Sequence, residues 1–417
     1  MFERYHAANK KLLSLMNIEQ VWKHTSKATL QASLKRVRQL LRRLGNPEQA
    51  MKFVHVTGTS GKGSVTYIMH EILRRSGEKV ASYSSPHTTS YLERFRIDDR
   101  LARPDALAAA IEVVIDAHEQ HVLAGHEALT MFELNACTAL LLFQREGVDW
   151  CVLEVGMGGR YDATNVIPSP VVAIITNINL DHTDFLGPTK IHIAKEKAGI
   201  IKPGCLVVTG ETAVGPLKVI SAEAKQCKAP LLVIPNETGD HLEHNADICR
   251  AAGLLIGMSP LVIELAIENT PPLPCRLEVI QEHPRVILDG AHNVAKMQAT
   301  VAHVKRMRKG KVLVIFGCKG TKDAAAMAKE LTQVADSVRA TRFMAGHGAP
   351  VNPLQVLKLF PNKLQVRAYL FPHDALADAL KVAKKSDTIL ITGSLYLAGE
   401  LRTHWRSEKN ILRERRS

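Results

Sequence analysis

The stretch Phe53-Val54-His55-Val56-Thr57-Gly58-Thr59-Ser60-Gly61-Lys62-Gly63-Ser64-Val65 constrains this chain more than any other, because an apolar strand runs there into a glycine-rich turn and out into a helix. Glycines let backbone N–H groups approach an anion, the helix N-terminus carries partial positive charge, and a lysine adds a point charge. The pattern is a phosphate cradle. Only two residues separate Gly58 from the Gly61-Lys62 pair, and Gly63 stands between lysine and serine, so the loop is a shorter variant of the common nucleotide motif. Ser64 falls where a hydroxyl can reach a phosphate-bound Mg²⁺.

A chain of 417 residues exceeds what one hydrophobic core usually organises, so two domains are expected. The net charge of +13 points to anionic partners, either nucleic acid or a small substrate rich in phosphate and carboxylate. Basic residues are scattered and aromatics make up only 5%, which leaves no stacking platform for a single strand and favours the small substrate. The seven cysteines are widely spaced with no Cys-x-x-Cys pair and read as reduced thiols. Residues 1–6 carry no apolar signal core and no run reaches membrane-spanning length, so a cytoplasmic protein without membrane or nucleic-acid partners is expected.

Residues 1–50 read as helices, with Leu30, Leu34, Val37, Leu40, Leu41 and Leu44 at helical spacing and Gly45-Asn46-Pro47 as the stop. The interleaved Lys35, Arg36, Arg38, Arg42 and Arg43 read as a solvated face. Helices are expected near 105–118, 132–145, 191–204, 215–228 and 245–257, and strands at 79–83, 150–153 and 171–175. The run 205–274 reads as loose, lacking strands before His241. The proline cluster at 271–274 marks the boundary between domains at 1–272 and 273–417. Strands then recur at 285–288, 311–316, 337–339 and 387–392, and the basic tail from Arg402 reads as a solvated helix. The fold class is α/β: a P-loop-type ATP-binding parallel-sheet domain followed by a smaller Rossmann-like α/β domain.

Three motifs follow strand ends: the phosphate loop, Glu154, and the segment Thr176-Asn177-Ile178-Asn179-Leu180-Asp181-His182. In an open parallel sheet such ends share one edge, where ligands bind. A carboxylate, an imidazole and hydroxyls beside a triphosphate form a plausible Mg²⁺ site, and the loop Ser85-Pro86-His87 can add oxygen ligands. A second domain with polar turns at 289–293 and 393–396 suggests a cleft that closes over reactants. Lys62, Mg²⁺ and an arginine such as Arg276 could neutralise charge in phosphoryl transfer. Spacing alone leads to an Mg-ATP enzyme and leaves the acceptor open.

The ordered series Gly58–Ser64, Ser85-Pro86-His87, Glu154–Arg160, Leu180-Asp181-His182, Glu196–Gly199, Arg276-Leu277-Glu278, Asp289–Asn293 and Gly393–Tyr396 resembles the folylpolyglutamate synthase and dihydrofolate synthase branch of the Mur ligases. That resemblance implies an ATP-dependent amide ligase joining L-glutamate to a folate or dihydropteroate carboxylate through an acyl phosphate. It implies that Gly58, Thr59, Ser60, Gly61, Lys62, Gly63 and Ser64 hold the phosphates. Ser64, Ser85, Glu154 and His182 would be Mg²⁺ ligands, and Glu154, His182 and Lys197 would be catalytic. Lys197 matches a lysine that is carbamoylated in many relatives and can then hold a second Mg²⁺. Arg276, Asp289 and His292 would meet ATP from the linker and second domain. Ser85, Pro86 and His87 would approach the substrate, while Thr130, Phe132 and Asp162 would line a pterin pocket where an aromatic face can stack. A monomer is expected.

The chain departs from the family pattern at Ser60 (usually Asn), at Cys275 (usually Gly) and at Val294 (often Pro). A Mur-type ligase acting on another carboxylate and an ATP-binding protein that ligates nothing remain alternatives to folate ligation.

Overall fold

Unbroken apolar runs such as Trp150-Cys151-Val152-Leu153 suit strands covered on both faces, since neither face then needs polar residues. The computed structural model describes residues 2–15, 27–344, 346 and 348–417. The chain divides into two compact units, the first comprising mainly residues 1–87 with 91–270 and the second 271–415 with 88–90.

The first unit is built on eight strands: β1 (Lys52–Thr57), β2 (Val80–Tyr83), β3 (Phe95–Ile97), β4 (Arg100–Leu101), β5 (Trp150–Glu154), β6 (Val172–Ile175), β7 (Leu206–Thr209) and β8 (Leu231–Val233). Their order is β4-β3-β2-β5-β1-β6-β7-β8, and β3 alone runs against the others. β1 thus lies at the centre. The register pairs Val56 with Glu154 and Thr57 with Ile175, which brings the carboxyl ends of β5, β1 and β6 level. On one face Val65, Met69 and Ile72 of the helix Lys62–Arg75 pack with Ile248, Ala252 and Ile263. On the other face Val155 and Ile175 pack with Ile193, Ala198 and Ile220.

The second unit holds β9 (Glu278–Glu282), β10 (Arg285–Leu288), β11 (Val312–Phe316), β12 (Ser337–Ala340), β13 (Gln365–Ala368) and β14 (Thr388–Thr392), ordered β13-β12-β11-β14-β10-β9. Only β9 runs antiparallel. No helix among the described residues is long and apolar enough to cross a membrane.

Several expectations need correcting. The run 205–274 does contain strands before His241, namely β7 and β8, as well as a helix at Pro260–Asn269. β7 is as long as β6 and its apolar run Leu206-Val207-Val208 was open to the same reading, while β8 is a three-residue edge strand too short for periodicity to register. The helix expected to 204 ends at Ala198. Arg36 leaves the solvated face to pair with Glu133 at 2.8 Å and Glu127 at 2.9 Å. Arg402 is buried rather than solvated. Leu34, Val37, Leu40 and Leu41 are buried as the helical spacing requires, while the side chain of Leu30 lies outside the described residues.

Candidate active site

Past Thr57 the chain turns through Gly58 (φ +152°) and Gly61 (φ +83°) before the helix Lys62–Arg75 begins. A Cβ on Gly58 would stand 1.8 Å from Thr176 Oγ1, and one on Gly61 would stand 2.5 Å from Asn245 Oδ1. Neither position admits a side chain. The loop is pinned by the segment after β6: Thr59 N–H donates to the Asn177 carbonyl at 3.0 Å, and Ser60 N–H donates to Asn177 Oδ1 at 3.0 Å. That segment is in turn fixed by buried Glu211, whose carboxylate accepts from Ile178 N–H and Ala213 N–H, each at 2.7 Å.

Two lysine amines converge on one oxygen. Lys62 Nζ donates to the Gly58 carbonyl at 2.9 Å, and Lys197 Nζ donates to the same carbonyl at 2.8 Å. Lys197 comes from the last turn of the helix Lys190–Ala198 and is 4% exposed. Burial, reinforced by the Lys62 charge, holds its amine well below the ordinary lysine range. Gly159 permits the approach, because a Cβ there would meet the Lys197 carbonyl at 3.0 Å. At the end of β5, Glu154 Oε2 accepts from Ser85 N–H at 3.1 Å, so two expected metal ligands meet. Pro86 follows a cis bond, and His87 Nδ1 accepts from Arg94 Nε at 3.0 Å. His182 takes a left-handed conformation (φ +50°), is about half exposed, and has Asp181 Oδ2 3.8 Å away.

Phe132 covers the turn after β5, since a Cβ on Gly156 would fall 2.0 Å from its Cζ. Asp162 organises that turn. Its Oδ2 accepts from Gly156 N–H and Met157 N–H at 3.1 Å, and its Oδ1 accepts from the Thr164 hydroxyl at 2.6 Å. Burial raises its carboxyl above the usual range, and these bonds oppose the rise. The Thr164 hydroxyl accepts from His55 Nε2 at 2.9 Å, so a chain from β1 supports Asp162 from beneath. Thr130 caps the helix Met131–Arg145 in a capping box with Glu133, which sets the exit angle of Phe132.

In the second unit, Arg276, Asp289 and His292 gather around Gly290. A Cβ on Gly290 would meet Arg276 Nη1 at 2.7 Å, while His292 Nδ1–H donates to the Gly290 carbonyl at 2.8 Å. Lys296 Nζ donates to His292 Nε2 at 3.2 Å, which fixes a neutral ring, and burial with the Lys296 charge pushes its pKa down to about 3. Asp289 takes the Leu277 and Ala291 N–H groups and the Thr300 hydroxyl.

Two family models cover most of the chain: the Mur ligase middle domain matches residues 56–229, and the Mur ligase glutamate ligase domain matches 275–395. Dihydrofolate synthase/folylpolyglutamate synthase of Bacillus subtilis is 30% identical over 407 residues, spanning 88% of this chain and 94% of its own. The chain belongs to the folylpolyglutamate synthase and dihydrofolate synthase family of Mur ligases. Among solved structures, E. coli FolC in complex with DHPP and ADP matches with a TM-score of 0.81 and 28% identity, covering 95% of this chain and 97% of its own. A bifunctional folylpolyglutamate synthase/dihydrofolate synthase from Yersinia pestis, complexed with AMPPNP and Mn ion, matches with a TM-score of 0.81 and 27% identity over 95% and 97%.

For a folylpolyglutamate synthase family member the metal donors are sparse. Among the described residues no group of three or more His, Cys, Asp or Glu side chains forms a cage. Glu154, the hydroxyls of Ser64 and Ser85, and His182, the donors expected from the sequence, would supply few ligands, as would suit a hard cation that takes the rest of its shell from phosphates and water. Three supporting residues escaped the sequence reading. Asn177 stands in the segment after β6 that the sequence singled out, but its bonds to the loop gave no sequence signal, and Glu211 needed β7 to be recognised before its place could be seen. His55 sits in an apolar strand, and only its partner Thr164, 109 positions away, gives it meaning.

Proposed function

We infer that this protein is an ATP- and Mg²⁺-dependent ligase that joins L-glutamate to the carboxylate of dihydropteroate, of a reduced folate, or of both. The convergence of Lys62 and Lys197 on the Gly58 carbonyl supports the reading best, because two lysine side chains meet in the glycine loop after β1, whose end is level with the end of β5, where Glu154 accepts from Ser85 N–H. Phosphates entering the cradle offer Lys62 a better acceptor than a neutral carbonyl. A substrate carboxylate oxygen attacks the γ-phosphorus and ADP leaves. The glutamate amine then attacks the acyl carbon, phosphate leaves, and the amine's proton is released. Excluding water protects the acyl phosphate between these steps.

Ser64, Ser85, Glu154 and His182 would hold Mg²⁺, which neutralises phosphate charge. Burial lowers the Lys197 pKa and so eases loss of the proton that CO₂ addition requires; the carbamate would carry a negative charge that can hold a second Mg²⁺. Phe132 would stack on the pterin above the turn that Asp162 braces, with Thr130 at its rim. Residues 1–272 would form the ATP-binding catalytic domain and 273–417 the glutamate ligase domain, where Arg276, Asp289 and His292 contact nucleotide. The enzyme would act as a cytoplasmic monomer, its +13 charge drawing polyanionic small molecules.

Release of ADP, followed with dihydropteroate, tetrahydrofolate and a nucleotide-linked muropeptide in turn, with and without L-glutamate, tests the reading. Glutamate-dependent release with a pteroate supports it, and EDTA should abolish the signal until Mg²⁺ is restored. Release with the muropeptide alone would move the protein to another Mur activity, and silence with every acceptor would leave a nucleotide binder.

A further inference from the structure

We propose that Arg402 is a positioning residue for nucleotide, acting through Glu278 on the turn that presents Arg276. The proposal rests on the reading that Arg276 contacts ATP. Arg276 is exposed, but both its neighbours are held in the left-handed region, Cys275 at φ +54° and Leu277 at φ +52°. Residues with a Cβ seldom adopt that conformation, and two in alternation persist only where surrounding bonds dictate them. Here the bonds are identifiable. Glu278 Oε2 accepts from Cys275 N–H at 2.8 Å, Gly290 N–H donates to the Cys275 carbonyl at 2.8 Å, and Asp289 Oδ2 accepts from Leu277 N–H at 3.2 Å.

Glu278 is itself buried, and a buried carboxylate needs a cation. Arg402 supplies it from the end of the helix Leu395–Arg402, 124 positions away. Its Nε reaches Glu278 Oε1 at 3.1 Å and Oε2 at 2.9 Å, and its Nη2 reaches Oε1 at 3.0 Å. A third nitrogen, Nη1, donates to the Thr89 hydroxyl at 3.3 Å. Arg402 is 1% exposed and heads the fully buried side chains by volume. None of these bonds touches the guanidinium of Arg276. They fix the backbone from which it projects, and a planar fork does so better than a lysine could.

The test measures Mg-ADP affinity by calorimetry, together with KM for ATP and for the folate acceptor, on the full chain carrying Arg402→Met, Arg402→Lys, Arg276→Ala, or Arg402→Met with Cys275→Gly. Arg402→Met should weaken Mg-ADP about ten-fold and raise KM for ATP equally, while KM for the acceptor stays within about two-fold. Adding Cys275→Gly should restore most of the affinity, because glycine adopts the left-handed turn without the clamp. A folded Arg402→Met protein with wild-type Mg-ADP affinity overturns the proposal, as does an equal rise in KM for both substrates. Arg402→Lys is judged by the same criteria should Arg402→Met not fold. Loss of affinity in Arg276→Ala without loss in the Arg402 variants defeats the positioning role alone. Unchanged affinity in Arg276→Ala defeats the nucleotide reading of Arg276, and the positioning role with it.

Discussion

A lysine at a helix end normally answers the helix dipole, and apart from the family resemblance nothing in the residues around Lys197 marks it as different. Its burial and its bond to the Gly58 carbonyl do. Lys197→Ala should lower ligation about a hundred-fold while leaving Mg-ADP affinity within about three-fold, measured by coupled assay and calorimetry. The depressed pKa also has a sign. Relative to an ordinary lysine, more of this amine is neutral at physiological pH, and only the neutral amine adds CO₂, so bicarbonate should stimulate enzyme prepared in CO₂-free buffer, with a response that levels off at a lower pH than an ordinary lysine would require. The Lys197→Ala protein should not respond to bicarbonate. The glycine loop between β1 and its helix, by contrast, was legible in the sequence because it lies in one contiguous segment.

Among elements, the joint of β1, loop and helix depends on two missing side chains. Gly58→Ala would drive a Cβ to within 1.8 Å of Thr176 Oγ1, so it should destabilise the first unit by about 2 kcal/mol in urea unfolding and abolish Mg-ADP binding. Long elements with clear periodicity were readable from sequence. The helix Met131–Arg145 begins one residue before the expected start, and β5 extends one residue beyond the expected end. Three-residue β8 was too short for a pattern of period two to register, whereas β7, as long as the β6 that was read, was legible in its apolar run and was passed over. Their loss hid Glu211, which begins the turn after β7 and orients the segment beside the cradle.

For the whole molecule, buried neutral histidines set the acid limit. Burial pushes His55 and His70 down to about 3 from 6.5, so below pH 6.5 the unfolded chain takes up protons that the folded chain refuses. Stability should fall as pH drops from 6.5 towards 3, by about 2 kcal/mol per histidine on reaching pH 5. Chemical unfolding of the first unit at several pH values checks this, and His55→Gln should flatten part of the slope. The sequence by itself determined the α/β class, the strand–glycine loop–helix joint at 52–75, the order of motifs and the family, because each is written in local spacing or in ordered short runs. Only the tertiary structure decided that Lys197 points at the phosphate loop, that His55 supports Asp162, and that Arg402 is interior and bound to Glu278. Those facts join residues more than a hundred positions apart, and burial and partnership across such distances exist only once the sheets have formed.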